Sequence, residues 1–565
     1  MRLFQESIRR NMRTLDGVWQ FALDGSNCGQ EEQWYASFPK DAIRTYVPSC
    51  WNTMHGLLHY EGVAWYQTEF YTTAQNLKLV FGAVQNECDV YMDGRHICSH
   101  YGGFVEFSTT LRGIAAGKHT LTLRVSNIHN SQNTIPLSKV DWFHHGGIAR
   151  SVELIEFGEA WIDSLKLDYT LTDSLHTANL SARIRLCADR PVSDVLKLYV
   201  NDTLVCEKQV EAAGETDVLL DGITLQGIRL WDVLQPNLYL VRAEFAGDDM
   251  ADRIGFRTVS LKDGRICVND KPVKLKGVNR HEEHPDWGFA MPFHLIQKDI
   301  DIIKGMGCNM VRGSHYPNSK ATLDYLDETG LLFWEEIPMW GFPEHALKDP
   351  LVTERGRKMH TEMVLRDYHH PCIILWGLHN EIDTRTDAAV AVTKAFSDTV
   401  RTLDDTRLVT YATMYPLEDR CFAFADVISV NKYFGWYHGP YTEWDAYLEQ
   451  LDARKAETGN AQKPLLISEF GAGAIFGERA MDDTLWGENY QDKCLDYTLN
   501  LFLDSPLVAG MCIWQYCDMR TAPEVTLSRP RGFNNKGVLN ENRKPKQAYA
   551  TVKKIYSSAD ARGKR

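Results

Sequence analysis

Residues 1–156 alternate apolar and polar side chains with a period of two, in short runs broken by turn residues: "GVWQFALDG", "AWYQTEFY", "CDVYMDGRHI" and "HTLTLRVSN". Successive side chains of a strand point to opposite faces, so this is the pattern of strands with one face buried and one wet. Asp93 and Gly94, set between two such runs, form a hairpin-turn pair. The pattern predicts an all-β sandwich. From 157 to 258 the alternation continues with fewer aromatics, in "WIDSLKLDYTL", "ANLSARIRL" and "LYLVRAEFAG", and predicts a second, smaller immunoglobulin-like sandwich.

From 259 to 565 the texture changes. Short, nearly continuous apolar runs alternate with helical periodicity, as buried parallel strands and crossover helices require. Eight runs qualify as strands: "KLKGVNRH", "CNMVRGSHY", "LLFWEEIPM", "CIILWGLHNE", "RLVTYAT", "DVISVNKY", "PLLISEFGA" and "AGMCIWQYC". Eight strand–helix units is the count of a (β/α)₈ TIM barrel. A doubly wound sheet is the competing arrangement, but no Gly-x-Gly-x-x-Gly follows any of these runs.

A barrel gives meaning to the ends of its strands, because the loops at their C-terminal ends form the pocket. "ILWGLHNE" drives Glu381 to the end of the fourth strand, and "LLISEFG" carries Glu469 to the end of the seventh. Either glutamate alone reads equally well as an ion-pair partner. Two of them on nearly opposite strands can converge on one bond. Paired carboxylates are the machinery of glycoside hydrolysis, in which one protonates the leaving oxygen and the other attacks the anomeric carbon or activates water.

Charge and composition narrow the choice. A net charge of −14 leaves no basic stripe for nucleic acid, and it means that an anionic substrate must be met by local cations. The start, "MRLFQESIRRNMRTLDG", has no apolar core of an export signal, and no run of about 18 apolar residues occurs, so neither export nor a membrane span is expected. The 13 cysteines are scattered without a Cys-x-x-Cys pair, which fits reduced structural thiols in a cytoplasm. His281, Glu282, Glu283 and His284 crowd together, but two histidines three apart outside a helix make a poor zinc signature, and no metal is expected.

"LHNE" with a later "ISEFG", the strand ends "GVNRHE" and "RGSHYP", and the sandwich motifs "LDGVWQF", "AWYQTEF" and "GGIARSVEL" together resemble glycoside hydrolase family two over almost the whole chain. That family runs from a sugar-binding jelly roll through an immunoglobulin-like sandwich to a barrel. The resemblance implies that Glu381 is the acid/base and Glu469 the nucleophile of a retaining double displacement. It implies further that Asn380 meets the sugar 2-hydroxyl, that Arg312 supplies a positive charge to the nucleophile, and that Tyr433 orients it.

Within the family the likeness is to the branch acting on β-glucuronides, carried by "DVISVNKYFGWY", which holds Tyr433 and Tyr437, and by "LWGENYQ". Asp141 in "DWFHHGGIAR" and His281 then hold sugar hydroxyls, Trp514 is an aromatic platform, and Asn534 and Lys536 in "RGFNNKG" grip the sugar carboxylate. Arg529 and Arg531 lie nearby, out of register with the family's arginine, and stay unassigned. No long loop separates the first two barrel strands, which leaves the aglycone side open. The resemblance implies a homo-oligomer and a small glucuronide or oligosaccharide as substrate. No cofactor is required; some relatives carry flavin mononucleotide on the surface, but no phosphate-cradling loop is present here. The alternatives are a β-galacturonidase or β-galactosidase of the same fold, or a non-catalytic carbohydrate-binding protein, which would be expected to lack one of the two carboxylates.

Overall fold

Strict alternation becomes a sandwich in the computed structural model, which describes residues 2–172 and 175–562. Its first region pairs a six-stranded antiparallel sheet, with Gly17–Asp24, Val63–Thr72 and Gly117–Ser126 at its centre, with a four-stranded sheet built around Val152–Phe157 and Asn76–Phe81. In Gly17–Asp24, Trp19 and Phe21 are buried while Val18 is 64% exposed and Gln20 between them also faces solvent, so the period-two pattern does set the inner face. Trp19, Phe21, Tyr66, Leu79, Phe81 and Leu123 share one core. The hairpin between Glu87–Met92 and Arg95–Tyr101 turns on Asp93 at φ 51° and Gly94 at φ 75°, the two left-handed residues that a tight twisted hairpin needs.

The second sandwich is made by two long strands, Thr177–Val200 and Thr203–Gln226, paired along their length with a break in register between Ala188 and Val192. Ala160–Leu171 pairs with the first half of this ribbon and Tyr239–Phe245 with the second half. Leu167, Ile184, Leu198, Val241 and Phe245 meet in its core.

The barrel closes. Its strands are β1 Leu275–Asn279, β2 Met310–Gly313, β3 Leu332–Glu336, β4 Ile373–Asn380, β5 Leu408–Thr413, β6 Val427–Asn431, β7 Leu465–Phe470 and β8 Val508–Ile513, all parallel, with β8 returning to β1 at Leu275 and Gly510. Every residue of β1 to β7 is buried, which is why these segments read as continuous apolar runs. The crossover helices carry ordinary stop and start signals. Lys320–Thr329, for instance, begins with the Ser319 hydroxyl accepting from Thr322 N–H and ends on Gly330 at φ 75°.

The first sandwich also reaches over the barrel mouth. Trp142 packs its ring against His281, His315, Tyr316 and Trp340, and shares an apolar cluster with Tyr433 and Trp514. The second sandwich meets the opposite end, where Arg257 donates to the backbone carbonyls of Pro371 and Ile373 at the entrance to β4. Among the described residues, no helix is long and apolar enough to cross a membrane.

Candidate active site

A cavity of about 510 Å³ opens at the C-terminal ends of the barrel strands, with Glu381 and Glu469 both in its wall and Val140 and Asp141 contributed by the first sandwich. Glu381 follows β4 directly. The pairing of β4 with β5 loses regular register between Gly377 and Asn380, and Glu381 sits at φ 55°, its N–H bonded to Ala412 O at 2.9 Å. Left-handed backbone at a non-glycine residue costs on the order of 1 kcal/mol or more, and is retained where surrounding contacts fix a functional side chain. Here it turns the carboxyl from the strand end into the cavity.

The two carboxyls have different surroundings. Glu381 Oε1 accepts from Asn431 Nδ2 at 2.9 Å, and among the described residues no cation lies within 4.0 Å of it. Ser468 Oγ donates to Asn431 Oδ1 at 2.7 Å, which fixes the amide so that its NH₂ faces Glu381. Burial, reinforced by the negative charge of Glu469, pushes the Glu381 carboxyl up to about 8, against a small opposing pull from Asn431. Glu469 Oε1 accepts from Arg312 Nη1 at 2.8 Å and Oε2 accepts from the Tyr433 hydroxyl at 2.6 Å. Burial raises Glu469 as well, but Arg312 and Tyr433 pull it back, so the anion is favoured on Glu469 and the proton on Glu381. The strand carrying Glu469 is followed by Gly471 at φ 144°, where a Cβ would lie 2.7 Å from Trp514 O; only glycine lets the chain leaving β7 and the Trp514 backbone approach this closely.

Arg312 is the hub beneath both. Its guanidinium donates to both Glu336 oxygens, at 2.9 and 3.2 Å, to Glu469, and to Asn380 Oδ1 at 2.7 Å, and it stacks over Trp334 with its Cζ 4.4 Å from the ring centre. Glu336 is pushed up to about 7 by burial, with Arg312 opposing. Because Asn380 Oδ1 is occupied by Arg312 and by Asn431 at 3.2 Å, its Nδ2 is left as a buried donor with no partner among the described residues.

A second network lies across the cavity. The Lys536 ammonium, on a side chain that is almost wholly buried, donates to the Tyr437 hydroxyl at 2.8 Å and lies over the ring of Tyr437 at 4.7 Å. Among the described residues no carboxylate stands within 4.0 Å of it, and burial lowers its basicity. Arg529 donates through Nη2 to both Asp141 oxygens at 2.9 Å and through Nη1 to the Tyr437 hydroxyl at 3.0 Å. Asn534 Nδ2 donates to Asp141 Oδ2 at 2.7 Å.

The sequence-predicted residues therefore divide. Asp141, Tyr433, Tyr437, Trp514 and Lys536 line the cavity with Glu381 and Glu469. Asn380 and Arg312 stand immediately behind the two glutamates. Asn534 does not reach the cavity wall; its amide is committed to Asp141. His281 is also off the wall, with Nδ1 3.2 Å from the Tyr316 hydroxyl and its ring edge-on to Trp514; its Nε2 is buried without a partner among the described residues. Arg529, left unassigned from sequence, is a wall residue, and Glu336 and Asn431 went unnoticed although each ends a barrel strand. That strand-end position was the signal available for both.

Among the described residues, one set of metal-type ligands comes together elsewhere, Asp327, His370 and Cys372. They lie at the entrance to β4, the opposite end from Glu381, and bond one another: His370 Nδ1 is 2.5 Å from Asp327 Oδ2, and Cys372 N–H donates to Asp327 Oδ1 at 3.0 Å.

Against known proteins, residues 259–560 match the description "Glycosyl hydrolases family 2, TIM barrel domain", and residues 160–257 match "Glycosyl hydrolases family 2". The chain belongs to glycosyl hydrolase family 2. A β-glucuronidase of Paenibacillus borealis is 27% identical over 96% of this chain and 96% of its own length. Among solved structures, a family 2 β-galacturonidase from Eisenbergiella tayi bound to galacturonate superposes with a TM-score of 0.92 at 30% identity, covering 99% of each chain. The β-glucuronidase of Ruminococcus gnavus superposes with a TM-score of 0.87 at 27% identity, again covering 99% of each. The chain is a glycoside hydrolase of this family, similar to enzymes named for glucuronides and galacturonides.

Proposed function

We propose that this enzyme hydrolyses β-glycosides of a uronic acid, β-glucuronides first, by double displacement. The observation that carries the sugar acid is Lys536: a buried ammonium on the cavity wall with a phenol and aromatic rings around it and no carboxylate partner among the described residues. A buried cation without a counter-charge is costly, and a sugar carboxylate bound there supplies one. Arg529 and Tyr437 flank the same spot.

In the first step Glu469 attacks the anomeric carbon while Glu381 gives its proton to the glycosidic oxygen, so the alcohol leaves and a glycosyl ester forms on Glu469. In the second, Glu381, now ionised, takes a proton from water, and the resulting nucleophile displaces Glu469 from the sugar. The free Nδ2 of Asn380 is placed as a donor for a sugar hydroxyl beside the acid. No step calls for a metal or cofactor. The thirteen free cysteines suit a reducing cytoplasm.

A second reading, a β-galacturonidase, is favoured by the likeness to the Eisenbergiella tayi enzyme; glucuronide and galacturonide differ only in the orientation of one hydroxyl and share the carboxylate. The test is a panel of nitrophenyl β-glucuronide, β-galacturonide, β-glucoside and β-galactoside, with the first-formed anomer followed by NMR. A uronide should give the highest kcat/KM, with β-anomer released first. Preference for a neutral sugar overturns the sugar assignment, and release of the α-anomer overturns double displacement.

A further inference from the structure

The cavity holds more positive charge than one sugar carboxylate requires. Its wall carries Lys139, Lys432, Arg529 and Lys536, and the carboxylates Asp141, Glu381, Glu418 and Glu469. Asp141 is held by Arg529 and Glu469 by Arg312, while Glu418 approaches Arg385 at 4.0 Å. Lys536 is assigned to the sugar acid. Two wall cations remain, Lys139, which is exposed to solvent, and Lys432, which is half-buried; among the described residues no carboxylate lies within 4.0 Å of the Lys432 ammonium, and its partial burial makes it the stronger candidate. Its Nζ stands 5.6 Å from the ring centres of both Phe434 and Tyr447, an apolar and aromatic setting that makes an added counter-charge worth more than it is in water.

The order of the strands says which part of the substrate Lys432 meets. Glu381 follows β4, Met414 to Glu418 follow β5, and Lys432 follows β6; Lys536 comes from the segment after β8. The acid must face the glycosidic oxygen, so the leaving group lies on the Glu381 side of the cavity; Lys432 follows Asn431, the amide that bonds Glu381, whereas Lys536 meets the same loop farther along, at Tyr437. The wall there carries Trp340, which follows β3, with Tyr415, Leu417, Tyr447 and His438, a surface of the kind on which sugar rings stack. Burial and the adjacent Lys432 hold His438 below the usual histidine range, and burial lowers the basicity of Lys432 as well, so a bound anion would favour the charged form of the lysine.

We propose that Lys432 forms a second anion subsite that selects a carboxylate-bearing leaving group, namely a second acidic sugar. This rests on the uronide reading of the first subsite. The substrate class is then a short acidic oligosaccharide rather than an isolated conjugate of a neutral alcohol.

The test compares two disaccharides with the same accepted uronic acid at the non-reducing end, one with a uronic acid and one with the matching neutral hexose as leaving group. The wild-type enzyme should favour the acidic leaving sugar about tenfold or more in kcat/KM, and salt should erode the preference. Lys432→Met should bring the ratio close to one, Lys432→Arg should keep most of it, and Lys536→Met should slow both disaccharides while leaving the ratio standing. A wild-type ratio near one, or a ratio unchanged by Lys432→Met, overturns the proposal. If the nitrophenyl panel selects a neutral non-reducing sugar, the first subsite has been misread. The same ratio, measured with that sugar, then decides Lys432 independently.

Discussion

The Tyr433 hydroxyl donates to Glu469 Oε2 at 2.6 Å, on the opposite oxygen from the one held by Arg312. Each oxygen of this carboxylate therefore has a donor of its own, and both donors favour its ionised form against the burial that raises it. As the proposed nucleophile Glu469 must be ionised to attack, so activity should be lost as pH falls through its pKa. Removing one donor raises that pKa further. Tyr433→Phe should move the acidic limb of the kcat/KM profile to higher pH and lower the plateau; a profile lowered uniformly with its acidic limb in place would show that Tyr433 does not stabilise the anion.

Glu381 titrates on the other side. In the proposed double displacement it is the acid of the first step and must carry its proton, so kcat/KM should fall as pH rises through the value of about 8 to which burial and Glu469 push it. The alkaline limb belongs to the coupled pair, yet it should vanish in Glu381→Ala assayed on an activated aryl glycoside. Persistence of the limb in that variant would assign it to another group.

The two glutamates should also separate by leaving group. Glu469→Ala should abolish turnover of every substrate, because no glycosyl ester can form. Glu381→Ala should lose about 10² to 10⁴-fold on a substrate whose leaving alcohol needs protonation, and far less glycosyl-enzyme formation on an activated aryl group. Burst kinetics on the aryl glycoside measure this directly, and equal losses for both variants would reverse or dissolve the assignment.

How far the placement of these residues could be read from sequence depends on the kind of element that carries each one. Glu381 and Glu469 were legible because a buried parallel strand is a continuous apolar run, and a carboxylate at its end stands out against it. Arg312, Asn380 and Tyr433 were legible from short motifs adjoining the same strands. His281 and Asn534 show the limit. His281 lies in irregular chain beyond β1 and Asn534 in a strand of only two residues, Phe533–Asn534, where no periodicity says which way a side chain points; His281 packs edge-on to Trp514 and Asn534 turns toward Asp141. Arg529 was unreadable for the same reason, since the segment between β8 and Asn534 has no repeating pattern to fix its register. Its partner Asp141 lies 388 positions away in a different domain, a pairing that only the folded mouth reveals.

That cross-domain pair has its own consequence. Asp141 is held by Arg529 and Asn534, and together they fasten the loop of the first sandwich to the barrel. Charge-assisted bonds of this kind contribute about 1.5–3 kcal/mol each. Arg529→Ala should therefore lower kcat/KM by about tenfold to a hundredfold, and Asp141→Ala, which strands Arg529, by at least as much, with both proteins remaining folded by circular dichroism. An Asp141→Ala enzyme with unaltered kcat/KM would reduce the first sandwich to a structural part.

Lys536 carries the sharpest test of substrate choice. The chain has a net charge of −14, so its overall field opposes an anionic sugar and discrimination has to come from a nearby cation. Lys536→Ala removes that cation from a buried wall and leaves the sugar carboxylate facing Tyr437 and an Arg529 already engaged by Asp141. Losing one charge-assisted bond and leaving the charge without its partner should cost roughly 10 to 1,000-fold in kcat/KM on the uronide. The matched neutral glycoside has no carboxylate to strand, so its rate should change little and can even rise. The measurement is kcat/KM for the two glycosides in both proteins. A proportional fall in both would mean that Lys536 supports the shape of the cavity without reading the carboxylate, and specificity for the acid would then have to be sought at Arg529.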